Sequence, residues 1–498
     1  MSGVCDVSAG RRVLVVGAGF AGLAAAALLA RDGWQVQVLE KNREVGGCAR
    51  VWHSGGFSFD MGPTLYLMPE VFERYFALFG CQREDFYSLR LLDPSYRVFF
   101  GGDETVDVTP DLGATLETFE GFEPGGAQKL QAYLDRAAYQ YDIIMREFLY
   151  RDRRSIVDFV NRRVLIDGTR LNILKSLDGH VSSYFSDHRA KKLLEYSMVF
   201  LGSSPWNARA LYAIMSHVDI KLGVWYPHGG MGSVVAGLQR LAESHGVAIR
   251  TGEPVRRLEA RDGRVERVVT DRGEYTADVV LVGADYAHAE TELLAPPYQS
   301  YPASYWRKRV IAPSMFMVYL GLTKKVDALC HHNLYFAHQW QEHFASIFDR
   351  PAWPQHPSYY VHCPSRTDDA VAPWGHENVL ISVPVAPGLD DGDGRREQFA
   401  DQVLAHLEGL VGERIRDSIA VKRIYSHRDF KRDYHAYGGT AMGLAHTLSQ
   451  TALFRPSHRS RKARNLFYTG QYTHPGIGVP MAFIAAEIVA EEVSRQWS

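Results

Sequence analysis

Apolar positions follow two rhythms along this 498-residue chain. Short unbroken runs, as expected of strands buried on both faces, occur at Val13-Leu14-Val15-Val16 and within Asp278-Val-Val-Leu-Val-Gly-Ala-Asp285. After the first run, Leu23 to Arg31 is rich in alanine and leucine, Gly33 breaks it, and Gln35 to Leu39 reads as the next strand. The N-terminus is therefore a β-α-β unit. Alternating segments at Met315 to Leu322, Ser358 to Cys363 and Val379 to Val383 predict a second sheet, whereas Gln128 to Ala213 mostly shows helical spacing. Gly229-Gly230-Met231-Gly232 opens a further helix, and Pro480 suits the first turn of one running through Ala482 to Val493.

Chemistry enters at the first turn, Gly17-Ala-Gly19-Phe-Ala-Gly22. Gly17 permits the tight bend, Gly19 lets backbone approach a pyrophosphate, and Gly22 lets the helix close on the strand. Glu40, at the end of the second strand, is placed to accept ribose hydroxyls, and the helix N-terminus offers free N–H groups to a diphosphate. The unit predicts a bound dinucleotide and leaves NAD and FAD open. Gly46-Gly47 and the glycine-dense stretch from Gly55 to Thr64 bring backbone near a ligand again and favour FAD.

Composition narrows the classes. With 46% apolar and 22% charged residues and a formal charge of −2, disorder and nucleic-acid binding by a basic surface are excluded. The length suggests about three domains' worth of chain in one composite fold. Leu23 to Ala30 is the longest apolar run and is far short of the ~18 residues a membrane span needs. The five cysteines contain no CxxC pair, which argues against a disulfide framework or zinc site and for a reducing cytoplasm. Arg11-Arg12 and the apolar stretch behind them could suggest a secretory signal, but the glycine spacing is better explained by the nucleotide turn.

The sequence resembles the bacterial-type phytoene desaturase family, carotenoid desaturases within the flavin amine-oxidase superfamily, along nearly its whole length. The likeness is carried by Gly17 to Gly22, Glu40 to Gly47, Gly56-Phe-Ser-Phe-Asp-Met-Gly-Pro-Thr64, Gly223-Val-Trp-Tyr-Pro-His-Gly-Gly-Met-Gly232, Tyr437-Gly-Gly-Thr-Ala-Met-Gly-Leu444 and Gly470-Gln-Tyr-Thr-His-Pro-Gly-Ile-Gly-Val-Pro480. It implies a noncovalent FAD with Gly17, Gly19, Gly22, Glu40, Lys41, Gly46 and Gly47 at its adenosine and pyrophosphate end. It further implies Gly62, Pro63, Thr64 and Leu65 near the flavin, Val255 near the adenine, and Gly470, Gly478, Val479, Pro480 and Met481 at the isoalloxazine end. Two departures stand out. Cys48 occupies the position after the paired glycines where the family carries arginine, leaving Arg50 as its substitute, and Gln471 and Tyr472 replace small residues beside the expected substrate channel.

The implied fold is α/β: a Rossmann-like FAD-binding domain in three pieces (1–105, 223–300 and 422–498), a helical membrane-facing subdomain (106–222) and a mixed-sheet substrate part (301–421). The implied partners are a lipophilic polyene, a membrane surface bound peripherally, and oxygen or a quinone as electron acceptor. Arg151 to Lys175 has a local excess of four basic side chains, with Ile156, Phe159, Val160 and Val164 on one helical face, which suits an anionic lipid surface. The implied reaction is hydride transfer from an allylic CH2–CH2 unit to flavin followed by proton loss, with the protein positioning substrate and excluding water. His474 before Pro475 reads as structural, His331-His332 lacks a carboxylate or cysteine at metal spacing, and His458 to Arg464 reads as a solvated loop. The rival readings are a flavin amine oxidase and a non-enzymatic prenyl-lipid escort of similar architecture.

Overall fold

The computed structural model describes residues 10–101, 104–151 and 175–497. The strands that build its two main sheets are β1 (Arg12–Val16), β2 (Gln35–Leu39), β3 (Tyr96–Phe99), β4 (Thr105–Val108), β5 (Ala248–Arg250) and β6 (Val279–Val282). They continue with β7 (Ser314–Leu322), β8 (His332–Tyr335), β9 (Tyr359–His362), β10 (Glu377–Val385), β11 (Ile419–Tyr425) and β12 (Leu466–Tyr468). The helices that matter most are α1 (Phe20–Arg31), α2 (Met231–Ser244) and α3 (Val479–Trp497).

The first sheet has five strands in the order β12-β6-β1-β2-β5, all parallel, so it draws on the beginning, middle and end of the chain. Val13 pairs with Val279 on one side and Val36 on the other, and the apolar run of β1 is buried from Val13 to Val16. Both faces of a central parallel strand are covered, which is why β1 and β6 carry no alternation. Helix α1 is buried continuously from Phe20 to Leu29. Its alanines bring it close to the sheet and let α3 pack on its other side. Phe483 of α3, fully buried, anchors that contact with ring centroids 5.8 Å from Phe20, 4.8 Å from Phe72 and 4.8 Å from Tyr75.

The second sheet has seven strands, β11-β7-β10-β9-β8-β3-β4, antiparallel except where β8 meets β3. It reaches beyond residues 301–421, because β3 and β4 pair onto one edge and β11 onto the other. Strand pairing is set by side-chain fit across the sheet rather than by nearness in sequence. A hairpin, Val51–Ser54 with Phe57–Asp60, joins the two sheets. At its end Asp60 accepts the Met231 N–H at 2.8 Å and the Gly232 N–H at 3.1 Å, capping α2. Burial nonetheless pushes the Asp60 carboxyl up to about 7.

Helix Gly126–Ile144 lies in the region expected to be helical, followed from residue 175 by short helical turns. The basic segment expected to contact lipid, with Ile156, Phe159, Val160 and Val164, lies outside the described residues. Among the described residues no helix is long and apolar enough to cross a membrane.

Candidate dinucleotide and flavin site

The first turn leaves β1 with Gly17 at φ +101°, a left-handed conformation that favours glycine. A Cβ on Gly22 would lie 2.1 Å from the Gly17 carbonyl oxygen, so the α1–β1 approach also requires glycine there. Gly19 is the N-cap of α1, offers no side chain to the first-turn N–H groups, and is followed by no acidic residue in that turn. The positive end of the helix is open to an anion.

Three other segments close on this turn. Gly46 N–H donates to the Ala18 carbonyl at 2.8 Å, and the Gly19 and Gly46 backbones form a parallel bridge. A Cβ on Gly47 would stand 3.1 Å from the Gly19 Cα, so the crevice between the two backbones exists only because both residues lack one. Glu40 is buried, its carboxylate accepting the Ala18 N–H and the Asn42 N–H, each at 2.8 Å. The Glu253 N–H donates to the Glu40 carbonyl at 2.8 Å, tying to it the loop that leads to Val255. Gly470 follows β12, its Cβ direction 3.8 Å from the Ala21 Cβ, and Gly478-Val479-Pro480-Met481 starts α3 beside α1. An open helix N-terminus, a glycine-lined crevice and a buried carboxylate form a donor and acceptor set that fits a dinucleotide.

Gly62 packs against the paired glycines' segment: a Cβ there would be 2.2 Å from the Cys48 carbonyl oxygen. Beyond Pro63, the Thr64 hydroxyl is 2.8 Å from that of Tyr360 on β9, and Leu65 packs half-buried on the apolar cluster between helix Gly126–Ile144 and the second sheet. The 62–65 segment therefore bridges the two sheets. Lys41 and Arg50 are drawn elsewhere: Lys41 donates to the Arg432 carbonyl, and Arg50 is ion-paired to Asp433 with its guanidinium 5.2 Å from the Tyr434 ring centroid. Cys48, between them, is an inert thiol, pushed by burial up to about 12.

The departures and histidines singled out in the sequence have defined places. Tyr472 is buried, donates to Asp285 at 2.7 Å and packs edge-on to Trp306. Nothing in the sequence signals that partnership, because Asp285 lies 187 positions away. His474 Nε2 is 3.1 Å from the Leu149 carbonyl and 3.2 Å from that of Phe148, a tie between the last glycine motif and the helical region. The His458–Arg464 stretch, expected as a solvated loop, exposes Arg461, Lys462 and Arg464 but buries His458, whose ring bridges the carbonyls of Tyr468 at 3.0 Å and His474 at 2.8 Å. His331-His332 gains a third imidazole, His362, from the neighbouring strand.

Residues 20–494 match the family of flavin containing amine oxidoreductases. The chain belongs to that family. Within it, a carotenoid 3,4-desaturase from Haloarcula japonica is 45% identical, with 97% of this chain and 98% of that protein covered. A zeta-carotene-forming phytoene desaturase from Myxococcus xanthus is 34% identical (97% and 94% covered), and a 4,4'-diapophytoene desaturase from Staphylococcus aureus 32% identical (97% and 99% covered). Solved structures agree in fold alone: an oxidoreductase from Methanosarcina mazei (TM-score 0.63, 16% identity, 96% and 100% covered) and putrescine oxidase (TM-score 0.60, 15% identity, 98% and 99% covered). The family carries a flavin.

Proposed function

We propose that this protein is an FAD-dependent desaturase that removes two hydrogens from a CH2–CH2 unit of a carotenoid or carotenoid precursor. The observation that carries the reading is the convergence of the first and last glycine motifs on one helix N-terminus, in a chain aligned along its length with three named desaturases. FAD, when bound, supplies the two-electron acceptor. Gly17, Gly19, Gly22, Gly46 and Gly47 line the diphosphate crevice, Glu40 takes the ribose, and Val255 borders the adenine. Gly62 to Leu65, Gly470 and Gly478 to Met481 hold the ring end, where the N-terminus of α3 presents the positive end of its dipole. Lys41 and Arg50 brace the adenosine end through the Arg432–Asp433 turn. The apolar second sheet and the 62–65 bridge exclude water and orient the chain of the substrate.

A substrate that resides in lipid requires docking at a bilayer, and the reading therefore includes peripheral attachment on the cytoplasmic side through the basic 151–175 segment. Oxygen or a quinone takes the electrons onward. The test is a visible spectrum of purified protein, followed by anaerobic mixing with liposomes that carry candidate polyenes. Flavin absorption that bleaches with phytoene or a more desaturated carotenoid supports the proposal, and the polyene that bleaches it fastest names the step. A colourless protein that FAD does not reconstitute favours an escort role, and bleaching by amines alone favours an amine oxidase.

A further inference from the structure

The first strand pair across the middle of the second sheet carries an unassigned cluster. β8 and β9 pair antiparallel with His332 opposite His362, and His331 immediately precedes His332. All three rings are buried, and one nitrogen from each lies within 4.8 Å of the others. His331 Nε2 and His362 Nε2 are 3.1 Å apart. Tetrahedral zinc with bonds of about 2.0–2.1 Å places two ligand nitrogens roughly 3.3 Å apart, so this spacing is close to that of a bound pair.

The outer nitrogens are already anchored. His331 Nδ1 is 2.6 Å from the Thr367 hydroxyl, and His332 Nδ1 is 2.6 Å from the Tyr360 hydroxyl, which in turn meets Thr64 at 2.8 Å. Donation of each Nδ1–H to its hydroxyl is the tautomer that would leave the Nε2 lone pairs of His331 and His332 for a metal, the ion replacing the hydrogen bond that His331 Nε2 and His362 Nε2 make with each other. His332 Nε2 is buried and has no hydrogen-bond partner among the described residues. A buried lone pair left without a partner is costly unless something fills the position. A small crevice lined by Tyr226, Asp60, Asn378 and His362 adjoins the cluster.

We propose that His331, His332 and His362 form a binding site for one divalent transition-metal ion of the zinc class, each ligating through Nε2, with the fourth position left to a water. Three nitrogens without a carboxylate or thiolate disfavour calcium and magnesium and suit zinc, cobalt or nickel. The ion would fasten β8 to β9 and, through Tyr360 and Thr64, would stiffen the 62–65 bridge between the sheets.

The test uses full-length untagged protein, stripped with a chelator and titrated with zinc or cobalt alone. The expected result is one ion per chain, a raised Tm with zinc, and the intense visible bands of four-coordinate cobalt. His332→Gln and His362→Gln should each abolish the bands and the Tm response while flavin content, measured in the same samples, stays at the wild-type level. If either variant loses its flavin, X-ray absorption on wild-type cobalt protein decides instead, with a first shell containing three imidazoles expected. Wild-type protein that takes up no ion, uptake that both variants retain, or a shell without imidazole would overturn the proposal.

Discussion

Replacing Glu40 by glutamine tests the adenosine end of the site with the smallest possible change in shape. Each carboxylate oxygen accepts one backbone N–H at 2.8 Å, from Ala18 and from Asn42, in a position only 5% exposed. A glutamine can satisfy one of them; its amide group then faces the other N–H donor to donor. The loss of a bond to a charged group is worth about 1.5–3 kcal/mol. Because the Ala18 bond sets the turn that presents Gly19, and the same carboxylate would meet the ribose, this loss falls on FAD binding. It corresponds to a weakening on the order of 10- to 100-fold. The assay is a fluorescence titration of deflavinated wild-type and Glu40→Gln protein with FAD, with FMN, which lacks the adenosine end, in parallel. FAD should lose affinity and FMN should not. Unchanged FAD affinity, or equal losses for both flavins, would refute the assignment of Glu40.

Other consequences can be measured independently. Gly22→Ala drives a methyl group to 2.1 Å from the Gly17 carbonyl oxygen and should cost about 1–3 kcal/mol or more of stability together with flavin retention; a variant that unfolds at the wild-type urea midpoint and stays yellow would contradict the packing argument. Phe483→Ala removes a fully buried ring from between Phe20, Phe72 and Tyr75 and should cost about 3–5 kcal/mol by denaturant unfolding, with a loss below about 1 kcal/mol arguing against the α1–α3 contact. His343 donates through Nε2 to the Pro384 carbonyl and accepts the Ser358 N–H at Nδ1, both at 3.0 Å, and burial depresses it to about 4. Its folded pKa lies below the unfolded value of about 6.5, so its contribution is complete above that pH and is lost as the pH falls through 4. The stability difference between wild type and His343→Gln should shrink on the order of 3 kcal/mol from pH 7 to 4, and a difference that does not change with pH would remove His343 from the acid response.

What could be read from the sequence was local and mechanistic. The run from Val13 to Glu40 specifies strand, glycine turn, helix, strand and carboxylate within a few residues of one another, and each has one workable conformation. β7, β9 and β10 are likewise found within two residues of the expected strand ends, but they are buried along nearly their whole length rather than at alternate positions, because both faces of the second sheet are covered there. The partners that cross the fold were not legible. Arg50 meets Asp433, Tyr472 meets Asp285 and His362 meets His331 because the fold brings distant residues side by side, and single polar residues carry no periodicity. The extent of the second sheet was hidden for the same reason: β3 and β4, which extend it at one end, are short and lie more than two hundred residues before the strand β8 that β3 joins.

The first sheet places β12 at one edge and sets α3 against α1, so the first and last glycine motifs come together although some 450 residues separate them. During synthesis β1 and α1 leave the ribosome some 450 positions ahead of β12, and through that interval the alanine face of α1 has no α3 to cover it. The packing of α1 against α3 is thereby deferred until residues 479–497 have been made, and a chain cut short before them would leave the buried face of α1 open.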